Sequence, residues 1–180
     1  MKIDIVRVGR LRCNCYILEC DGQVLVIDPG DEFGKIEKVI GSRQVVGVII
    51  THHHNDHDGA LDEVVNRYKC KVYDRYNLVE GINDIGSFRF EVIYTPGHKD
   101  DLISLYFKKE KMMFVGDFIF RDSIGRCDLE GGSMEEMIYS IEKIKMYPRD
   151  IKIYSGHGEE TTLGYEIDNN IYFRSDVKYI

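Results

Sequence analysis

Thr51-His52-His53-His54-Asn55-Asp56-His57-Asp58-Gly59 is the stretch on which the reading of this chain turns. Four of the six histidines fall within its six central positions, interleaved with aspartates. The β-branched run Val45 to Ile50 leads in as a strand, and Leu61, Val64, Val65 and Tyr68 recur at helical spacing after it. Imidazole and carboxylate concentrated at the end of a buried strand are costly to leave unpaired, and they are what a site needs to hold one or two divalent metals. On a loop leaving a strand, His52 and His54 can point one way and serve one ion. Asp56 and His57 are adjacent, so they can face another direction and serve a second.

The same strand-then-ligand pattern recurs further along. Phe88 to Tyr94 reads as a strand that stops at Thr95-Pro96-Gly97, and His98 follows. Lys111 to Val115 runs into Gly116-Asp117. Lys152 to Ser155 runs into Gly156-His157-Gly158. Glycines beside these residues permit tight turns and close backbone approach. Each motif alone is commonplace, since a lone Gly-His-Gly is usually a turn and a lone Gly-Asp a cap. Together they leave only His53 among the histidines outside such a position, which an incidental surface cluster does not explain.

The rest of the chain supplies the frame. Lys2 to Val8 alternates. Cys15 to Cys20 and Val24 to Asp28 are apolar runs separated by Asp21-Gly22, a hairpin signal. Asp28-Pro29-Gly30 stops the third strand, and Phe33 to Ile40 carries a helical stripe. Lys71 to Asp74 is a short strand. Leu102 to Lys108 and Lys111 to Val115 form a hairpin turning at Lys109-Glu110. Ser133 and Glu136 make a capping box ahead of the stripe Met134, Met137, Ile138, Ile141 and Ile144, which Pro148 ends. Thr161 to Asn169 reads as a last short helix. Two strand-rich halves, each with helices, imply two sheets packed face to face with helices outside.

Bulk properties limit the rest. A chain of 180 residues is expected to form one domain with a core that needs no disulfide. Charged residues are 31% and hydrophobic residues 43%, the profile of a globular protein in water. A net charge of −7 argues against nucleic acid or an anionic membrane as partner. No apolar stretch is long enough to span a bilayer, and Met1-Lys2-Ile3-Asp4-Ile5 lacks a signal-peptide core, so a cytoplasmic location is expected. The five cysteines include no C-x-x-C pair. Cys13 and Cys15 would face the same way on a strand and are expected to be buried thiols rather than ligands.

H-x-H-x-D-H at 52–57, T-P-G-H at 95–98, G-D at 116–117 and G-H-G at 156–158, in that order, resemble the metallo-β-lactamase superfamily. Asn14 to Leu18 and Val26 to Gly30 resemble its opening strands, so the likeness covers nearly the whole chain, residues 1–180. The T-H-H-H-x-D-H-x-G form, the run Ile124-Gly125-Arg126-Cys127-Asp128-Leu129-x-Gly-Gly and the G-H-G followed by Thr161-Thr162-Leu163-Gly164-x-Glu166 are similar to the short glyoxalase II-like (hydroxyacylglutathione hydrolase-like) subgroup. The resemblance implies an α/β fold, the αββα four-layer sandwich of two mixed β-sheets flanked by helices. It implies one metal on His52, His54 and His98, a second on Asp56, His57 and His157, and Asp117 bridging them. Zinc is the first expectation, with iron or manganese as alternatives, because the same N/O ligands suit each.

The implied activity is hydrolysis of a small-molecule thioester, S-lactoylglutathione or another acyl thioester, by a metal-bound hydroxide, with Asp56 orienting the nucleophile. A metal also stabilises the developing oxyanion, and a thiolate leaving group needs no general acid. Arg126, on a glycine-rich loop, is the candidate contact for an anionic substrate. This chain departs from the family's usual pattern at His98-Lys99-Asp100-Asp101-Leu102, where two acids are added, and at Cys127, which would lie near the site and be oxidisable. With the sequence running to Ile180, the C-terminal helical domain by which full-length glyoxalase II enzymes grip glutathione is expected to be absent. The alternatives within the fold are a persulfide dioxygenase with a single iron, and a lactonase. β-Lactamases usually lack the carboxylate that Asp117 supplies, and flavin-linked diiron reductases typically have a glutamate where His54 stands. A metal-dependent binding module without catalysis is the non-enzymatic alternative.

Overall fold

The computed structural model of the protein describes residues 1–174. Its first sheet has five strands in sequence order: β1 (Lys2–Val8), β2 (Cys13–Cys20), β3 (Gln23–Ile27), β4 (Gln44–Ile49) and β5 (Lys71–Tyr73). The first three pair antiparallel; β3–β4 and β4–β5 are parallel. The second sheet comprises β6 (Gly81–Ile85), β7 (Phe88–Tyr94), β8 (Ile103–Phe107), β9 (Met112–Gly116), β12 (Lys152–Ser155) and β13 (Thr161–Thr162). Its order is β13-β12-β9-β8-β7-β6, and only β9–β12 is parallel. A small hairpin, β10 (Ile119–Phe120) and β11 (Ser123–Ile124), stands apart from both sheets. The helices are α1 (Phe33–Ile40), α2 (Asn55–Asp58), α3 (Leu61–Tyr68), α4 (Met134–Ile144) and α5 (Leu163–Asn169), followed by a 3₁₀ turn over Ile171–Phe173.

Alternation along the strands builds three apolar layers. On β3, Leu25 and Ile27 join Tyr16, Leu18, Phe90, Leu105 and Phe114 in the space between the sheets. Val24 and Val26 point the other way and pack with Ile36, Ile40 and Val64 of α1 and α3. On the second sheet, Ile93, Met113, Val115 and Ile153 pack beneath Met137, Ile141 and Leu163 of α4 and α5. Strands buried on both faces must be continuously apolar, which is why β3 and β9 read as unbroken runs. The result is the expected αββα sandwich. Among the described residues, no helix is long and apolar enough to cross a membrane.

Several expectations needed adjustment. The Asp21-Gly22 turn forms as read, with both residues at positive φ, 50° and 76°, which suits a two-residue hairpin. Strand β6 was not anticipated: Gly-Ile-Asn-Asp-Ile is half polar because it is an edge strand with one face wet. Thr161 and Thr162 form an edge strand rather than the first turn of a helix, and the Thr162 hydroxyl caps α5 by accepting from Tyr165 N. Helix α4 ends at Ile144, before Pro148. The capping box is half formed: Ser133 Oγ accepts from Glu136 N, but Ser133 N donates to Gly97 O instead of to the Glu136 side chain.

Candidate metal centre

All seven residues singled out as ligands lie at one end of the sandwich, just beyond the C-terminal ends of β4, β7, β9 and β12. His52 and His54 leave β4, and α2, a single turn, carries Asp56 and His57. His98 follows β7, Asp117 follows β9 and His157 follows β12. Parallel strands with their C-terminal ends together are a recurrent platform for polar sites in α/β sheets. Close backbone approach makes the convergence possible. A Cβ on Gly156 would run into Asp117 Oδ1 and come within 2.6 Å of His57 Cε1, and one on Gly125 would run into the Asp117 carbonyl and His98.

The atoms form two groups. In the first, His54 Nδ1 lies 3.1 Å from His52 Nε2 and 3.0 Å from His98 Nε2. In the second, Asp56 Oδ2 lies 3.1 Å from His157 Nε2 and 3.7 Å from His57 Nε2. Asp117 sits between them: Oδ1 is 3.3 Å from His57 Nε2, while Oδ2 is 3.7 Å from His98 Nε2 and 3.6 Å from His157 Nε2. Ligand atoms about 2.0–2.1 Å from one tetrahedral ion lie about 3.3 Å from each other, and these separations cluster around that value.

The outer nitrogens of the rings decide what faces inward. His98 Nδ1–H donates to the Arg126 carbonyl at 2.7 Å, and His157 Nδ1–H donates to the Leu11 carbonyl at 3.0 Å. His57 Nδ1–H donates to Asp28 Oδ2 at 2.9 Å. Thr51 gives its own hydroxyl proton to Asp28 Oδ2 at 2.6 Å and accepts from His52 Nδ1 at 3.1 Å. With the outer proton committed, each neutral ring turns a lone pair inward, toward other lone pairs and carboxylate oxygens. Such outer acceptors fix ring orientation and raise basicity in metal sites. His57 Nε2 and Asp117 Oδ1 are buried and have no hydrogen-bond partner. Buried acceptors left facing acceptors are what a cation would satisfy, so the donor set fits divalent metal.

Charge follows the same logic. Burial, then the neighbouring histidines, holds His52 well below the usual imidazole range; burial, His98 and Lys99 lower His54. Burial opposes a charge on His57, but Asp28 and Asp117 outweigh it and raise that ring well above its ordinary value, so a proton competes with a cation for Nε2 and metal binding would displace it. The hydrogen bond with His157 brings Asp56 down to about 2 despite its partial burial. Burial works against the Asp117 anion, yet the surrounding histidines, His57 foremost, keep it low.

The sequence reading missed the supports. Asp28 takes φ 52°, an uncommon conformation for a non-glycine residue, and its carboxylate grips Thr51 N, Thr51 Oγ1 and His57 Nδ1. His53, left without a role, donates from Nδ1 to Asp101 Oδ2 at 2.6 Å, with Asp74 Oδ2 3.6 Å from its other nitrogen. Asp101 also accepts from His53 N, so one of the two unexpected acids pins the histidine run. The carbonyls of Leu11 and Arg126 carry no side-chain signature to find. Arg126 itself is turned out: its guanidinium holds both oxygens of Asp128 at 2.9 Å in an exposed pair. Cys13 and Cys15 are buried on one face as expected. Cys13 Sγ comes 3.7 Å from His57 Nδ1, the nitrogen that also meets Asp28, and lies within 4.8 Å of possible ligand atoms of His57 and His157. Burial and then Asp128 push the Cys127 thiol up to about 11, which opposes its expected oxidation.

Comparison with known proteins agrees with this geometry. A family model described as the metallo-beta-lactamase superfamily matches residues 8–79 and 72–157. YqgX of Bacillus subtilis, a probable metallo-hydrolase, is 34% identical over 94% of this chain and 96% of its own. Hydroxyacylglutathione hydrolase GloC of Haemophilus influenzae is 29% identical over 97% of this chain and 99% of its own. The crystal structure of BLEG-1 B3 metallo-beta-lactamase superposes with a TM-score of 0.91 at 29% identity, covering 96% of this chain and 99% of that one.

Proposed function

The chain belongs to the metallo-beta-lactamase superfamily, and from that footing we propose that it is a binuclear metallohydrolase that cleaves acyl thioesters in the glyoxalase II-like manner. The observation that carries this reading is the inward convergence of imidazole lone pairs and carboxylates around the unpartnered His57 Nε2 and Asp117 Oδ1. In it, His52, His54 and His98 would hold one cation and Asp56, His57 and His157 another, with Asp117 placed to serve both. Divalent ions so held supply Lewis acidity and bring the pKa of bound water from 15.7 to about 7. Zinc is the proposed metal, with iron as the competing one for the same donors.

The chain's own groups do the remaining work. Asp56, ionised and part-exposed beside His57 and His157, would accept a hydrogen bond from the attacking water and aim it. Asp28, Thr51 and the carbonyls of Leu11 and Arg126 keep the rings in the tautomer that faces inward. Asp56 and Asp117 are both held ionised, so neither is a ready proton donor. That favours a leaving group that departs unprotonated: a thiolate, with a conjugate-acid pKa of about 8.5, rather than an amine. The likeness to GloC points the same way.

The test is thiol release from S-lactoylglutathione by purified protein of measured metal content, with and without chelator. Chelator-sensitive turnover restored by zinc is expected. A second reading, β-lactam hydrolysis, is favoured by the likeness to BLEG-1, so a chromogenic cephalosporin is the parallel substrate. Turnover of the cephalosporin alone would replace the thioester reading. Iron-dependent sulfite formation from glutathione persulfide would replace hydrolysis altogether, and chelator-insensitivity throughout would leave a binding module.

A further inference from the structure

We propose that Arg121 is the specificity-determining residue of this site and that it anchors an anionic arm, carboxylate or phosphate, on the substrate. The proposal rests on the thioester reading above and adds the class of thioester to it. Arg121 and Asp122 form the two-residue turn of the β10–β11 hairpin, since Phe120 pairs with Ser123. The hairpin is tied down from three sides. Ser155 Oγ donates to Ile119 O at 2.5 Å, Asp122 N donates to the buried Glu166 at 3.0 Å, and Asn170 Nδ2 donates to Ser123 O at 2.9 Å. It therefore presents Arg121 from a fixed base.

A cleft of about 310 Å³ lies between this hairpin and the His157 turn, walled by Phe120, Arg121, Asp122, His157, Gly158 and Glu159. The Phe120 ring stands 6.2 Å from the His157 ring. The cleft thus runs from a proposed ligand to a guanidinium. That guanidinium is half exposed: it lies over the Tyr165 ring at 5.1 Å, and Asp122 and Glu159 stand at 3.9 and 4.0 Å, beyond hydrogen-bond reach. Arg126, by contrast, is committed to Asp128 through two bonds at 2.9 Å. A planar guanidinium grips carboxylate or phosphate with two parallel bonds, which outcompetes contacts at 4 Å. Arg10 and Arg12 flank Leu11, whose carbonyl holds His157, and both are exposed.

The experiment measures kcat/KM for three lactoyl thioesters: of glutathione (carboxylates), of coenzyme A (phosphates) and of N-acetylcysteamine (neutral). Wild-type protein should prefer one of the anionic pair, and which one identifies the arm. In Arg121→Met the anionic-to-neutral ratio should fall about tenfold, through KM rather than kcat, with Arg121→Lys intermediate. Added salt should reproduce part of the fall. An equal fall on all three substrates, no anionic preference in wild type, or a loss appearing in Lys99→Met or Arg126→Met instead would overturn the proposal. Absence of any turnover would be a failure of the thioester reading. Titration calorimetry with S-hexylglutathione and its diethyl ester then decides the anchor separately: binding of the free acid lost in Arg121→Met supports it, and equal binding of both forms overturns it.

Discussion

Among the described residues, Asp117 is the one carboxylate within 3.7 Å of histidines from both groups, so its removal is the most informative single change. Asp117→Ala should lower bound metal and thioester turnover together, by about 10²-fold or more in rate; full activity at normal metal content would refute the bridging role. Asp28→Asn keeps the shape but gives His57 Nδ1 a weaker, uncharged acceptor, and loss of such an outer partner costs about 10–100-fold in metal affinity or activity. Competition with a chromophoric chelator measures it. The seven inward residues were legible because each is a polar side chain punctuating an apolar strand. Their partners were not, because two are main-chain carbonyls and Asp28 sits in an Asp-Pro-Gly run that reads as a strand stop. Cys127 gives a pH test. With its thiol pushed up to about 11, the thiolate is scarce at neutrality and grows as pH rises toward that value. Alkylation followed by mass spectrometry should leave Cys127 unmodified at pH 7 and label it progressively at alkaline pH; rapid labelling at pH 7 would contradict the shift.

At the scale of elements, helices and central strands were readable because both kinds of period are strong in them, and α1 fell on its sequence stripe, Phe33–Ile40. What escaped were short pieces whose pairing is decided at a distance: β6 and β13 at sheet edges, and the β10–β11 hairpin. Ser133 separates local from distant causes. Its side chain caps α4 as the sequence suggests, while its N–H serves the loop before His98 through Gly97. Ser133→Ala should therefore cost about 1 kcal/mol, a fall of about 2–4 °C in Tm for a chain of this size, with metal content unchanged. Gly156→Ala is the opposite case. Its β-carbon collides with Asp117 and His57 at the centre, so metal loss should outrun loss of stability. A Gly156→Ala protein that binds metal normally would show that the β12 turn relaxes without cost.

Across the whole molecule, the centre joins the two sheets. His52, His54, Asp56 and His57 extend from β4 of the first, while His98, Asp117 and His157 extend from β7, β9 and β12 of the second. Elsewhere the sheets meet chiefly through apolar contact, with Tyr16 of the first edge-on to Phe114 at 4.9 Å and to Tyr154 at 5.7 Å in the second. We propose that residues 1–180 unfold as one unit and that bound metal acts as a clamp at its polar end. A ligand at about 1,000 times its Kd stabilises the folded state by about 4 kcal/mol, or about 8–16 °C at the scaling of about 2–4 °C per kcal/mol. Chelation should lower Tm by that amount in a single transition. It should also speed amide exchange in the Thr51–Gly59 run and around His98 while the strands flanking Phe114 stay protected. The pattern follows from where the uncompensated groups lie. Removing the cation leaves acceptors facing acceptors at one end, whereas the apolar layer between the sheets keeps every contact. Uniform loss of protection would mean that the metal supports the core itself, and two separated transitions would mean that the halves fold apart.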